Sequence, residues 1–160
     1  MVARMLLRLS TMNPRKILVP VDYSPSSRLA LEWALSLSDR LGSSVHVLHA
    51  WEVPAYLRPD LTVWSGEVSE TLADHTRMEA EKGMREFLAD VKATERATVT
   101  SQVVSGPPYA TILAKAKEGG FDMIAMGTHG RGGVAHLFLG SVAERVVRHS
   151  ACPVLTIRGD

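Results

Sequence analysis

A chain of 160 residues is long enough for one domain with a substantial core and too short for two comfortable ones. Its composition, 46% hydrophobic and 22% charged with a formal net charge of +1, is that of a soluble globular protein, and the interleaved charges argue against nucleic acid as a partner. The apolar runs are of strand length, far short of the roughly 20 residues of a membrane span, and Cys152, the single cysteine, leaves no internal disulfide or cysteine-based zinc site, which fits a reducing cytoplasm.

The opening MVARMLLRLSTMN places Arg4 and Arg8 inside its apolar stretch and has no small-residue cleavage site, so it does not read as a signal peptide. Residues 1–13 are expected to be a disordered extension, with Met12 a candidate natural start, and residues 14–160 a single domain. KILVPVD, from Lys16 to Asp22, is an almost continuous apolar run, as in a strand covered on both faces. Ser24-Pro25 then supplies an N-cap and a first-turn proline. Ala30, Trp33, Ala34, Leu37 and Leu41 follow helical spacing along one face, and Gly42 ends that helix.

SVHVLHAW, from Ser44, reads as a second strand. Residues 52–66, with Pro54, Pro59 and Gly66, read as an irregular loop, and a long helix is predicted over 67–93 with Met84, Phe87, Leu88 and Val91 on its buried stripe. A third strand begins at Ala97. GPPYATILAKAKEGG gives a proline-initiated helix with Tyr109, Ile112, Leu113 and Ala116 facing inward. FDMIAMG is a fourth strand, and CPVLTIR a fifth. Strands alternating with helices imply parallel β-α-β units, hence an α/β fold with helices on both faces of one open sheet. Ligands of such sheets bind outside the carboxyl ends of the strands, where the strand order reverses, and Asp22 and Gly127 both fall at such ends.

MGTHGRGGVAHLFLGSVAERVV, from Met126 to Val147, holds five glycines in its first fifteen residues and then continues as an amphipathic helix. No window satisfies the Walker A pattern. Gly130, Gly132 and Ala135 match a relaxed dinucleotide motif, but after the wrong strand and without an acidic residue about 20 positions on. What remains is Gly127-x-x-Gly130, nine residues, then Gly140-Ser141. Glycines let backbone N–H groups approach an anion, a helix N-terminus adds donors and a favourable dipole, and His129 and Arg131 add charge or hydrogen bonds. The plainer alternative is that Ser141-x-x-Glu144 is a capping box that needs no ligand.

The other polar residues have ordinary readings. Asp22 fits a turn or cap as well as a ligand contact. His46 and His49 fall on opposite faces of their strand, and His75, His136 and His149 lack metal-ligand spacing with acidic partners. Ser24, Ser26 and Ser27 read as cap and first-turn residues rather than nucleophiles. Trp51 and Trp64 read as packing the 52–66 loop rather than covering a ligand mouth, and Arg145, Arg148 and Arg158 as a solvated edge.

KILVPVDYSPSSRLALEWA, GPPYATILAKA and FDMIAMGTHGRGGVAHLFLGSVAERVVRHSACPVLTIR together resemble the universal stress protein family, over residues 14–158. The resemblance implies a Rossmann-like five-stranded parallel sheet of order 3-2-1-4-5, which makes the first and fourth strands neighbours. It also implies membership of the ATP-binding subgroup, which carries the G-x2-G-x9-G-S pattern. By position, Asp22 would contact the ribose, with Pro20 and Val21 beside the nucleoside and Ala50 and Met126 near adenine. Gly127, Thr128, His129, Gly130, Arg131, Gly132 and Gly133 would wrap the phosphates, and Gly140, Ser141 and Val142 would close over them. Gly106, Pro108 and Ile112 match a structural element of the family. Mg²⁺ or Mn²⁺ would accompany ATP, and residues 153–158 would pair with their copy in a homodimer. With no general base and no metal-ligand set visible, the expected role is a cytoplasmic, nucleotide-dependent regulatory switch in stress response, with at most slow ATP hydrolysis. A true ATP-cleaving enzyme and a nucleotide-independent dimeric interaction module remain the alternatives.

Overall fold

Ile17, Leu18 and Val19 are each 0% exposed, so the strand Lys16–Pro20 (β1) is covered on both faces as its unbroken apolar run demands. The structure, a computed structural model, describes residues 13–65, 68–91, 98–128 and 139–159. The expected extension therefore lies outside the described residues except for Asn13, whose Nδ2 donates to Leu41 O at 3.5 Å.

From β1 the chain passes through the helix Pro25–Leu41 (α1), the strand Ser44–Trp51 (β2), two short strands Thr62–Ser65 (β3) and Val68–Thr71 (β4), and the helix Leu72–Ala89 (α2). Thr98–Ser105 (β5), the helix Pro108–Glu118 (α3), Met123–Gly127 (β6), the helix Ser141–His149 (α4) and Val154–Ile157 (β7) follow. The main sheet has the order β5-β2-β1-β6-β7 with all its neighbours parallel, which is the expected 3-2-1-4-5. Strand order reverses at β1, so α1 and α2 share one face and α3 and α4 the other. Alternate residues of β1 divide accordingly: Ile17, Val19 and Val21 pack with Leu31, Ala34 and Phe87, while Leu18 packs with Ile112, Ile124 and Val146. Burying each such side chain contributes about 1.5–3 kcal/mol.

Three local expectations are corrected. Residues 52–66 are not wholly irregular, and the predicted helix does not begin at 67, because β3 and β4 pair antiparallel through Val63↔Glu70 and Trp64↔Ser69. Thr62, Val63 and Trp64 favour extended backbone, and pairing recruits Val68–Thr71 to it. The helix then starts where Thr71 caps it, accepting from Asp74 N at 3.0 Å, and ends at Ala89; residues 92 and 93 of the predicted span lie outside the described residues. On α1 the buried face is Ala30, Leu31, Ala34, Leu35 and Ser38, whereas Trp33 is 55% exposed and Leu41 also reaches solvent. Small residues let α1 sit close on the sheet, and Trp33 would hold it away. At α4 the N-cap is Gly140, with no side-chain capping bond, and Ser141 is already helical. The expected capping box is absent; Glu144 instead pairs with Arg148 at 2.5 Å.

As expected, Ser24 caps α1, its Oγ accepting from Ser27 N at 3.3 Å, and Pro25 occupies the first turn. His46 and His49 do lie on opposite faces: His46 packs 5.6 Å from the Phe121 ring, which belongs to the α3–α4 side, and His49 stacks on Tyr23 beside α2. Among the described residues no helix is long and apolar enough to cross a membrane.

Two tests follow from this packing. A Cβ on Gly127 would stand 2.6 Å from Ser26 Oγ and 2.8 Å from the Ser26 carbonyl carbon, so Gly127→Ala should force β6 and α1 apart. It is expected to destabilise the fold by about 1–3 kcal/mol, and an unchanged midpoint in thermal denaturation would refute this close approach. Burial, and secondly the charge of Lys115, lower the His46 pKa below its ordinary 6.5. The unfolded chain then binds the proton more readily than the folded one. The resulting penalty is absent above pH 6.5, grows as pH falls below it, and levels off once the folded-state pKa is passed. Chemical denaturation of His46→Gln across this range should show a flatter acid limb than the parent; superimposable profiles would exclude His46 as the cause.

Candidate functional site

The carboxyl ends of β2, β1 and β6 lie side by side, and the expected ligand residues of the first, second and fourth sequence strands fall at them. β1 and β6 are in register through Ile17↔Met123 and Leu18↔Ile124, and both run on to Pro20 and Gly127. Val21 N extends the pairing with β2 by donating to Leu48 O at 2.8 Å. The chain then turns sharply. Asp22 Oδ1 accepts from Ser24 N at 3.1 Å and from Ser24 Oγ at 2.5 Å, so the carboxylate is tied to the first turn of α1. The turn role weighed for Asp22 is therefore present, and it fixes where this half-buried acceptor stands at the sheet edge.

On the other side of the crevice, Thr128 N donates to Ile157 O at 2.9 Å, and Thr128 O accepts from Gly140 N at 2.7 Å. The chain thus returns at Gly140 to the place it left at Thr128, and α4 starts there without a side-chain cap. Backbone N–H groups at such a start suit an anion. An acceptor at Asp22 and donors at the start of α4, at the reversal of strand order, fit a molecule that carries both hydroxyls and negative charge.

The side chains of the expected set are not all turned to this crevice. Val21 packs in the core under α1 and α2, and Met126 in the core under α3 and α4, so only their backbone is left for a ligand. Pro20 is buried at the end of β1, and Ala50 is half-buried in β2 opposite Val104 of β5. Gly127 faces Ser26, Ser141 is exposed, and Val142 packs against the α3–α4 core. His129, Gly130, Arg131, Gly132 and Gly133 lie outside the described residues.

Tyr23 and His49 belong to this edge and were not singled out by sequence. Tyr23 has φ +66° directly after Asp22, and its ring stacks on His49 at 4.2 Å. His49 Nδ1 is 2.7 Å from Val21 O, and donates to it. A glycine at position 83, inside an apolar helical pattern, was the available signal that something packs closely there.

The Universal stress protein family model matches residues 13–158 of this chain. Universal stress protein YxiE of Bacillus subtilis (strain 168) is 33% identical over 148 residues, covering 89% of this chain and 98% of YxiE. The solved structure of universal stress protein UspA from Lactobacillus plantarum matches with a TM-score of 0.73 at 26% identity, over 89% of this chain and 97% of that one. A universal stress protein family protein from Arabidopsis thaliana, solved with AMP bound, shares the fold with a TM-score of 0.53 at 20% identity, over 92% and 93% of the two chains. With strand order, glycine pattern and near full-length similarity in agreement, the chain belongs to the universal stress protein family.

Proposed function

We propose that residues 14–160 bind ATP at this edge and act as a nucleotide-dependent regulatory switch in the cytoplasmic stress response, with at most slow hydrolysis. The observation that carries the reading is the Gly140 N to Thr128 O hydrogen bond, which joins the two ends of the G-x2-G-x9-G-S pattern beside Asp22 at the reversal of strand order. The start of α4 at Gly140, an N-cap with no side chain of its own, supports it, as does the AMP bound by the Arabidopsis relative. In this reading Asp22 accepts from the ribose, Pro20 and Ala50 lie beside the nucleoside with the backbone of Val21 and Met126, and the segment from Gly127 to Val142 holds the phosphates. Mg²⁺ or Mn²⁺ would neutralise part of the phosphate charge. The sequence of this set offers no evident general base or catalytic metal constellation, which favours a switch over an efficient enzyme.

Protein purified without added nucleotide and then heat-denatured should release adenine nucleotide. Cellular ATP is roughly millimolar, so a site with micromolar affinity, about −8 kcal/mol, is nearly saturated before lysis. Gly130→Val should abolish binding with the circular dichroism spectrum retained, and Asp22→Ala should weaken it by about 1–3 kcal/mol. An absence of binding at millimolar ATP with Mg²⁺ would leave an interaction module, and turnover above about 1 s⁻¹ would make the protein an ATP-cleaving enzyme.

We propose further that β7 pairs with its copy in a homodimer through residues 153–158. β7 is an edge strand of the sheet, where backbone groups seek a partner. The helices packed on it, α1 and α4, leave Leu29, Trp33 and Val147 exposed. Light scattering at micromolar concentration should give twice the chain mass, with or without residues 1–13, and a monomer mass would refute the pairing.

A further inference from the structure

We infer that Tyr23 is a positioning residue for Asp22: its ring, held between His49 of β2 and Gly83 of α2, fixes the turn that aims the Asp22 carboxylate at the ribose. This rests on the nucleotide reading above and names the device that sets its specificity. Among the described residues Tyr23 is the one non-glycine residue with positive φ, at +66°. Such a backbone persists only where its surroundings over-determine it, and here they do so from three directions. His49 stacks on one side of the ring, with an interplanar angle of 26°, while its Nδ1 holds Val21 O, two residues before Tyr23. The Tyr23 hydroxyl donates to Ala80 O of α2 at 2.6 Å. The ring edge lies so close to Gly83 that a Cβ there would stand 2.7 Å from Tyr23 Cε2.

Gly83 is otherwise unexplained. Glycine is a poor helix residue, yet it stands inside an 18-residue helix, and the Tyr23 ring occupies the space its side chain would need. The ring cannot swing clear, because buried Phe87 meets it at 5.6 Å on the same helix and is itself covered by the Arg28 guanidinium at 4.1 Å. Packing alone would not call for a left-handed tyrosine. A bend at a set angle, immediately after a carboxylate tied to Ser24, does call for one.

The test is calorimetric titration of the full chain with ATP, 2′,3′-dideoxy-ATP and inorganic tripolyphosphate. The parent should prefer ATP to the dideoxy analogue by about tenfold, the loss of hydrogen bonds to a charged acceptor. Asp22→Ala should bring that ratio near one while tripolyphosphate affinity holds. Tyr23→Gly, comfortable at positive φ but without the ring, should erase the ratio to the same degree with tripolyphosphate unchanged. Tyr23→Phe, which keeps the ring, should retain it. Gly83→Ala, which pushes the ring from within α2, should repeat the Tyr23→Gly result, and it carries the test if Tyr23→Gly does not fold. The inference is overturned if Gly83→Ala and Tyr23→Gly keep the parent ratio while Asp22→Ala erases it, or if all three ligands weaken in parallel, as a merely structural role requires. A parent that binds no ATP, or binds without preference for the ribose hydroxyls, overturns the nucleotide reading of Asp22 itself, a distinct result that removes the clamp's purpose as well.

Discussion

The parallel pairing of β1 with β6 is the constraint on which the rest of the molecule depends. With β2 on its other side, β1 becomes the strand at which the order reverses, and the crossovers must place α1 and α2 on one face and α3 and α4 on the other. That arrangement buries β1 from Ile17 to Pro20 and accounts for its apolar run. It also opens the crevice between diverging connections, so that Asp22 leaves one side of it and Thr128 the other. A slip of one residue in the register would exchange the two faces of β1, turning Leu18 toward α1 and Ile17 toward α3, so the hydrophobic pattern of the core also fixes the geometry of the edge.

Small residues set how closely the elements around that edge approach. At Gly127 the contact is with Ser26, and at Gly83 with Tyr23. Neither glycine has positive φ, so neither is there for conformational freedom. They are absences of side chain. The glycine of β6 lets the first turn of α1 lie directly against that strand at Ser26, whose Oγ is 3.2 Å from Ser24 Oγ in the same turn. Packing and site are therefore joined at Gly127, whatever its neighbours in the loop hold.

The five main strands were legible because their residues are buried on both sides or bounded by clear breakers, and the helices between them by period and cap. Their order was not legible from residue chemistry; it came with the family resemblance. The β3–β4 hairpin was missed because EVSET suits a helix start as readily as a strand, and what decides is its partner across the turn, a tertiary fact. The face of α1 was misjudged because two overlapping stripes both fit its period, and only the closeness of the sheet selects Ala30 and Ala34 over Trp33. Ser141 carried the pattern of a capping box but entered the helix, since Gly140 was already anchored to Thr128. At the site, Asp22 and the G-x2-G-x9-G-S pattern stood out by sequence, whereas Tyr23 and His49 have no pattern that distinguishes them from core aromatics.

Tyr23 also ties the turn after β1 to the chain ahead of α2. The segment 52–71 runs directly into α2: Leu72 N donates to Leu61 O at 2.7 Å and Ala73 N to Pro59 O at 3.0 Å, so the hairpin region sets where that helix begins. Two turns further along, the same helix offers Ala80 O and the open face of Gly83 to Tyr23. Any shift of α2 along its axis must move these two contacts together, because both lie on one rigid element. The segment ahead of α2 is thereby connected through one helix to the turn that carries Asp22. A change in the loop need not touch a ligand to alter how that carboxylate is presented; moving the register of α2 under the tyrosine ring is enough.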